Sequence, residues 1–173
     1  MVLETQRLIL RRFTLDDAAF VVELVNDPGW LSNIGDRKVR SLEDARNYLR
    51  KGVLAMYDRV GFGMYVVTLK ESGEPIGTCG LIQRDELPDV DIGFAFLPGH
   101  RGRGFAFESA AAVMEYGTDV LGLKRIVAIV SANNRPSIRL LEKIGLRFER
   151  TIRFGEEEEL PLYAYPPADA GAG

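Results

Sequence analysis

The residues of this sequence best suited to chemistry lie in one stretch, Phe94-Ala95-Phe96-Leu97-Pro98-Gly99-His100-Arg101-Gly102-Arg103-Gly104-Phe105-Ala106. An apolar run ends at Pro98-Gly99, a glycine-rich turn with two arginines comes next, and a helical pattern begins after it. The first amides of a helix have no intrahelical acceptor, and the helix dipole adds partial positive charge there. Gly102 and Gly104 place no side chain between backbone and ligand, while Arg101 and Arg103 add formal charge. The combination predicts a cradle for a pyrophosphate. The phosphate loop that ends in Gly-Lys-Ser/Thr is absent, and the dinucleotide pattern Gly-x-Gly-x-x-Gly fails because Phe107 stands at its third position.

The surrounding elements must hold this turn in place. Arg7 to Arg11 reads as a strand, and Thr14 with Asp16 and Asp17 starts a helix that runs to Val25. Asn26-Asp27-Pro28-Gly29 reads as its stop. A second helix is predicted from Ser41 to about Tyr57, with Leu42, Ala45, Leu49, Val53 and Met56 on its apolar face. Met64 to Leu69 and Pro75 to Ile82 form a hairpin around a Glu71-Ser72-Gly73-Glu74 turn, and Val90 to Leu97 is the next strand. A helix is then expected from about Gly102 to Thr118. The unbroken apolar run Arg125 to Ser131 fits a strand buried on both faces. A helix from about Pro136 to Lys143 is capped by Gly145, and Leu146 to Phe154 and Leu160 to Tyr165 close the fold. The unit from Val90 to Ser131 requires a parallel, right-handed crossover.

With 173 residues and 46% hydrophobic content, the chain suits one domain, residues 1–165, with a small-residue tail at 166–173. A net charge of −3 argues against nucleic acid as the partner. The single cysteine, Cys79, forms no internal disulfide, reads as a buried strand residue, and joins no Cys/His cluster that would hold a metal. No leader-like N-terminus and no membrane-length apolar run is seen, so the cytoplasm is the expected address and no membrane partner is expected.

Arg101-Gly102-Arg103-Gly104-Phe105-Ala106 resembles the Arg/Gln-x-x-Gly-x-Gly/Ala motif of the GNAT superfamily of acetyl-CoA-dependent N-acetyltransferases. Downstream, Asn134-Arg135-Pro136-Ser137 and Glu142-Lys143-Ile144-Gly145-Leu146 resemble that superfamily's Asn-x-x-Ser/Ala and Glu-Lys-x-Gly-Phe segment. The opening Thr5-Gln6-Arg7-Leu8-Ile9-Leu10-Arg11 is similar to the branch that acetylates ribosomal-protein N-termini. The resemblance spans Leu3 to about Ala164. It implies an α/β fold: a mixed, mostly antiparallel central sheet with a splayed parallel strand pair and helices on both faces. It also implies that Phe94, Ala95 and Phe96 line the pantetheine arm, that Arg101 to Ala106 take the pyrophosphate, and that Asn134 bonds the cofactor. The implied reaction is direct transfer of an acetyl group from acetyl-CoA to a primary amine, on a protein N-terminus or a small molecule, by a monomer or homodimer. A non-catalytic acyl-CoA sensor of the same fold is the alternative.

The superfamily often places a tyrosine acid seven residues after the motif asparagine, and here that position is Leu141. Ser137 is the candidate in its stead, toward the leaving sulfur. Asp91 is a candidate general base, with Asp85 and Glu86 in the preceding turn as others. The run Glu156 to Glu159 reads as a solvated loop or an attraction for cationic substrates, His100 as a loop residue, and Tyr163 and Trp30 as packing residues.

Overall fold

The computed structural model describes residues 1–155 and 158–167. Of the acidic run, Glu156 and Glu157 lie outside the described residues, as do residues 168–173 of the tail. The strands are β1 (Leu3–Glu4), β2 (Leu8–Arg12), β3 (Met64–Leu69), β4 (Pro75–Ile82), β5 (Val90–Phe96), β6 (Ile126–Ile129), β7 (Arg147–Phe154) and β8 (Glu158–Tyr165). They form one sheet in the order β1-β2-β3-β4-β5-β6-β8-β7. Every neighbouring pair is antiparallel except β5 and β6.

The helices are α1 (Ala18–Val25), α2 (Pro28–Asn33), α3 (Leu42–Tyr48), α4 (Ala55–Val60), α5 (Phe105–Glu115) and α6 (Arg135–Lys143). The period of two along β5 divides the interior. Val90, Ile92 and Phe96 pack with Phe105, Ala110 and Val113 of α5, and α6 joins this layer through Ile138, Leu141 and Ile144. Ala95 and Leu97 point the other way, toward a cluster of Phe13, Phe20, Val21, Leu24, Trp30 and Ala45 from the α1–α3 side. A third, small cluster on β6 and β8 contains Leu87, Val127, Leu162 and Ala164. Helices on both faces and a single parallel pair agree with the expected fold class. Cys79 is buried, and burial pushes its thiol up to about 12.

Local departures from the sequence reading have physical causes. Thr14 caps a short 3-10 turn, Leu15–Asp17, before α1. Burial would raise the Asp17 carboxyl, but the Arg11 guanidinium 2.8 Å away and the Thr14 amide outweigh it and hold the group below its ordinary value. Asn26–Gly29 does stop α1, yet Asp27 at once caps α2 by accepting from the amides of Gly29 at 3.0 Å and Trp30 at 3.4 Å. The helix expected from Ser41 is interrupted by a wide π turn at Leu49–Leu54, which shifts the phase of the succeeding turns and carries the helical segment on to Val60. Leu42, assigned to the apolar face by periodicity, is exposed. The helix after the glycine-rich turn starts at Phe105, since Gly102 and Gly104 have φ of 73° and 82°, outside helical space. Neither β1 nor α2 is foreseen in the sequence.

Candidate active site

Only two residue pairs join β5 to β6, Val90 with Ile126 and Asp91 with Val127. Beyond Asp91 the strands part: β5 runs on to Phe96 against β4, and β6 runs to Ile129 against β8. The β6-facing edge of Ile92 to Phe96 therefore offers backbone N–H and C=O groups to a ligand rather than to a strand. Phe94, Ala95 and Phe96 lie on this edge.

The glycine-rich turn stands where β5 ends. Among the described residues no acceptor takes the amides of residues 102–107, and the first bond into α5 runs from Glu108 N–H to Gly104 O at 3.0 Å. Gly102, Arg103 and Gly104 are exposed, and a side chain on Gly102 would meet nothing within 4 Å. The turn is thus an open nest of donors at the positive end of an eleven-residue helix.

The two arginines of the turn behave differently. Arg101 pairs with the buried Asp27 carboxylate and donates from Nε to Phe96 O at 2.9 Å. It ties the turn to the cap of α2. Arg103 makes no side-chain hydrogen bond among the described residues and lies 5.2 Å over the Phe105 ring. A further arginine, Arg7, reaches the same place. Its Nη1 donates to Arg103 O at 3.1 Å, its Nε to Glu108 at 2.8 Å, and its guanidinium covers Phe105 at 4.3 Å. In the sequence Arg7 reads only as a strand residue, and this brace is invisible there because the contact spans nearly a hundred residues of chain.

On the opposite lip, Asn134 caps α6, its Oδ1 accepting Ser137 N–H at 3.4 Å. The Ser137 hydroxyl has no hydrogen-bond partner among the described residues. Ser137 therefore does not cap the helix itself. Because β5 and β6 run parallel, α5 and α6 both follow the carboxyl ends of these strands, on the side where they part, and the last residue of α6, Lys143, lies over the Phe107 ring at 4.2 Å.

Asp91 sits where the strands part, 2% exposed, on the face turned away from α5. Arg84 Nε contacts its two oxygens at 3.1 and 3.4 Å. Burial pushes the Asp91 carboxyl up to about 6, against the lowering pull of Arg84. Arg84, half-buried, also stacks 5.5 Å over Phe154. Nothing in the sequence marked Arg84, which lies in the connection before β5. Asp85 is almost fully exposed and 3.8 Å from Arg59, and Glu86 is exposed but close enough for its charge to add to the upward push on the Asp91 carboxyl. His100 lies behind the turn, 3.8 Å from Glu74. Tyr163 is buried in the sheet and Trp30 in the α1–α3 cluster. Among the described residues no group of three His, Cys, Asp or Glu side chains could hold a metal ion, and no helix is long and apolar enough to cross a membrane.

A splayed parallel pair, a donor-lined turn at the end of one strand and an asparagine-capped helix beside the other make up the candidate site. The family model for the acetyltransferase (GNAT) domain matches residues 7–147. The chain belongs to the GNAT acetyltransferase family, and it is an acyltransferase. It is 32% identical over 155 residues to the uncharacterized N-acetyltransferase YoaA of Bacillus subtilis (strain 168), covering 88% of this chain and 86% of that one. The crystal structure of an acetyltransferase from Agrobacterium tumefaciens str. C58 superposes with a TM-score of 0.81 at 28% identity, over 95% of this chain and 94% of that one. The ribosomal L7/L12 α-N-protein acetyltransferase RimL, solved in complex with coenzyme A, shares the fold at a TM-score of 0.79 and 19% identity, over 94% and 96% of the two chains.

Proposed function

We propose that this chain transfers an acetyl group from acetyl-CoA to a primary amine by direct attack. The observation that carries the reading is the free edge of β5 running into a turn whose amides at residues 102–107 have no acceptor among the described residues. Those amides and the Arg103 side chain would hold the pyrophosphate, with Arg101 and Arg7 bracing the turn from behind. The backbone of Phe94, Ala95 and Phe96 would bond the amide-rich pantetheine as an added strand does, and Phe105 and Ala106 begin the helix that faces the phosphates. Asn134 would contribute from the opposite lip. Bound acetyl-CoA supplies an activated thioester carbonyl, and the protein has to deprotonate the amine and protonate the departing sulfur.

Asp91 suits the first task. A carboxylate raised to about 6 is mostly ionised at neutral pH, and it is a stronger base than an ordinary aspartate. Ser137 suits the second, since its hydroxyl is uncommitted and stands at the lip. The test is an acetyl-CoA assay with free-thiol readout over a panel of amines, run on wild type and on Asp91→Asn. Amine-dependent thiol release, with the acetylated amine found by mass spectrometry, supports transfer. CoA binding without any acetylated amine assigns the chain to a non-catalytic binder instead.

A further inference from the structure

A surface depression beside α3 has a volume of about 410 Å³, within the range of small-molecule sites. Its lining includes Arg37, Lys38, Asp44, Asn47, Tyr48 and Lys51. The Asp44 carboxylate is already engaged, accepting Arg40 N–H at 3.0 Å in the first turn of α3. No ion pair or side-chain hydrogen bond is made by Arg37, Lys38 or Lys51 among the described residues. Arg37, Lys38 and Lys51 outnumber Asp44 around the hollow, and although the charge of Asp36 acts on Lys38, the lining carries a local positive excess in a chain of net charge −3.

The hollow is also built. Lys38 adopts φ of 58°, left-handed backbone that a lysine rarely takes. Asp36 holds it there by accepting Lys38 N–H at 2.8 Å, while its other oxygen pairs with Arg40 at 2.8 Å. Arg40 in turn donates to Asn26 at 2.6 Å, and Asn26 donates to Val39 O at 2.7 Å. The segment is pinned from both sides, with its strained residue at the rim.

Tyr48 lines the hollow and packs against the same buried cluster as Ala95 of β5. The Tyr48 hydroxyl makes no hydrogen bond among the described residues and lies in the fields of both Arg37, at the hollow, and Arg84, which grips Asp91. Burial raises the Tyr48 phenol above its ordinary value, so it stays a neutral donor.

We infer that this depression is the subsite for an anionic group, carboxylate or phosphate, on a small acceptor amine. Arg37, Lys38 and Lys51 bind the anion and Tyr48 donates to it, while the amine end of the molecule points to Asp91. This rests on the acetyl-transfer reading above and narrows its acceptor to anion-bearing small amines, as against polyamines.

The test uses matched acceptors: ω-amino acids of increasing length against the corresponding alkylamines, O-phosphoethanolamine against ethanolamine, and spermidine. In wild type, the anionic member of a pair is expected to have the higher kcat/KM by roughly 10- to 100-fold, the range of one or two charge-assisted hydrogen bonds. The advantage should fall with added salt. In the Arg37→Gln/Lys51→Gln variant the ratio should collapse toward one through KM, and Lys51→Arg should restore part of it. The carboxylate and phosphate series distinguish the two anions. Equal or better turnover of the neutral partners or spermidine, or a ratio untouched by the double variant, overturns the subsite and leaves acetyl transfer standing. If no amine is acetylated, calorimetric titration of the N-acetyl-ω-amino acids into the CoA-saturated protein decides. Saturable binding weakened in the double variant keeps the subsite and removes transfer, whereas no binding removes both.

Discussion

At the scale of single residues, the proposed mechanism divides the proton traffic between Asp91 and Ser137, and the two should fail differently. Asp91→Asn removes the base without changing shape, so kcat/KM should drop by roughly 10²- to 10⁴-fold. The pH profile should identify it: the limb near 6 set by the raised Asp91 carboxyl should vanish from the variant, leaving only the slope of the amine's own titration. Ser137→Ala should lower kcat by roughly 10- to 10³-fold with little change in CoA affinity. Its melting temperature should hold, since the capping bond comes from Asn134 and not from the serine hydroxyl. Asn134→Ala is the counter-example, expected to lose about 1 kcal/mol of stability with the cap. A Ser137→Ala protein that turns over like wild type removes the serine from the mechanism.

At the scale of elements, the turn between β5 and α5 is the part most exposed to a single change. Gly104→Asp introduces a side chain at φ of 82°, with its Cβ 3.2 Å from the Arg7 guanidinium, and sets a carboxylate among the amides that would receive the phosphates. Left-handed strain should cost about 1 kcal/mol of stability, while CoA affinity, read by calorimetry, should fall by more than roughly 100-fold. Unchanged affinity in a folded variant would show that the pyrophosphate lies elsewhere. Arg101→Met tests the brace: it leaves Asp27 buried without its cation and should cost about 2 kcal/mol, seen in the melting temperature. The turn itself was legible in the sequence because glycine spacing, arginines and flanking periodicity are local signals. So were β3, β4 and the buried run of β6. The partition of roles between Arg101 and Arg103 was not, because it depends on Asp27, which is distant in sequence. Nor was the Asp91–Arg84 pair, since a strand pattern says that residue 91 alternates inward but not what lies opposite. The π turn after α3 escaped for a related reason: the apolar residues of Leu49–Leu54 keep a helical period, and although Gly52 weakens the helix there, a glycine alone does not specify a wide turn.

At the scale of the whole molecule, the buried carboxylate leaves a mark on stability. An unfolded aspartate titrates near about 3.9, and the native Asp91 near about 6. Between these values the folded state holds a proton that the unfolded state has lost. Asp91 therefore favours folding increasingly as pH falls from 7 toward 5, and this contribution is lost as pH rises through 6. Asp17, Glu108 and Glu149, whose carboxyls are held low, act in the opposite sense at more acid pH. The melting temperature of wild type relative to Asp91→Asn should consequently rise between pH 7 and pH 5, and a flat difference would mean that Asp91 titrates normally. The two rungs that join β5 to β6 have a broader consequence. Hydrogen bonding divides the sheet into a block of β1 to β5 and a block of β6, β8 and β7, sewn along a very short seam. A pantetheine chain lying in the gap would stitch the blocks together, so the ligand would be a structural thread as well as a reactant. Hydrogen exchange should then slow on CoA binding at Ile92 to Phe96 and at Ala128 to Val130, on both sides of the seam, while β2, β3 and β4 keep their protection. Between turnovers the protein would breathe along that line, opening one half against the other to admit the next molecule and release the spent one.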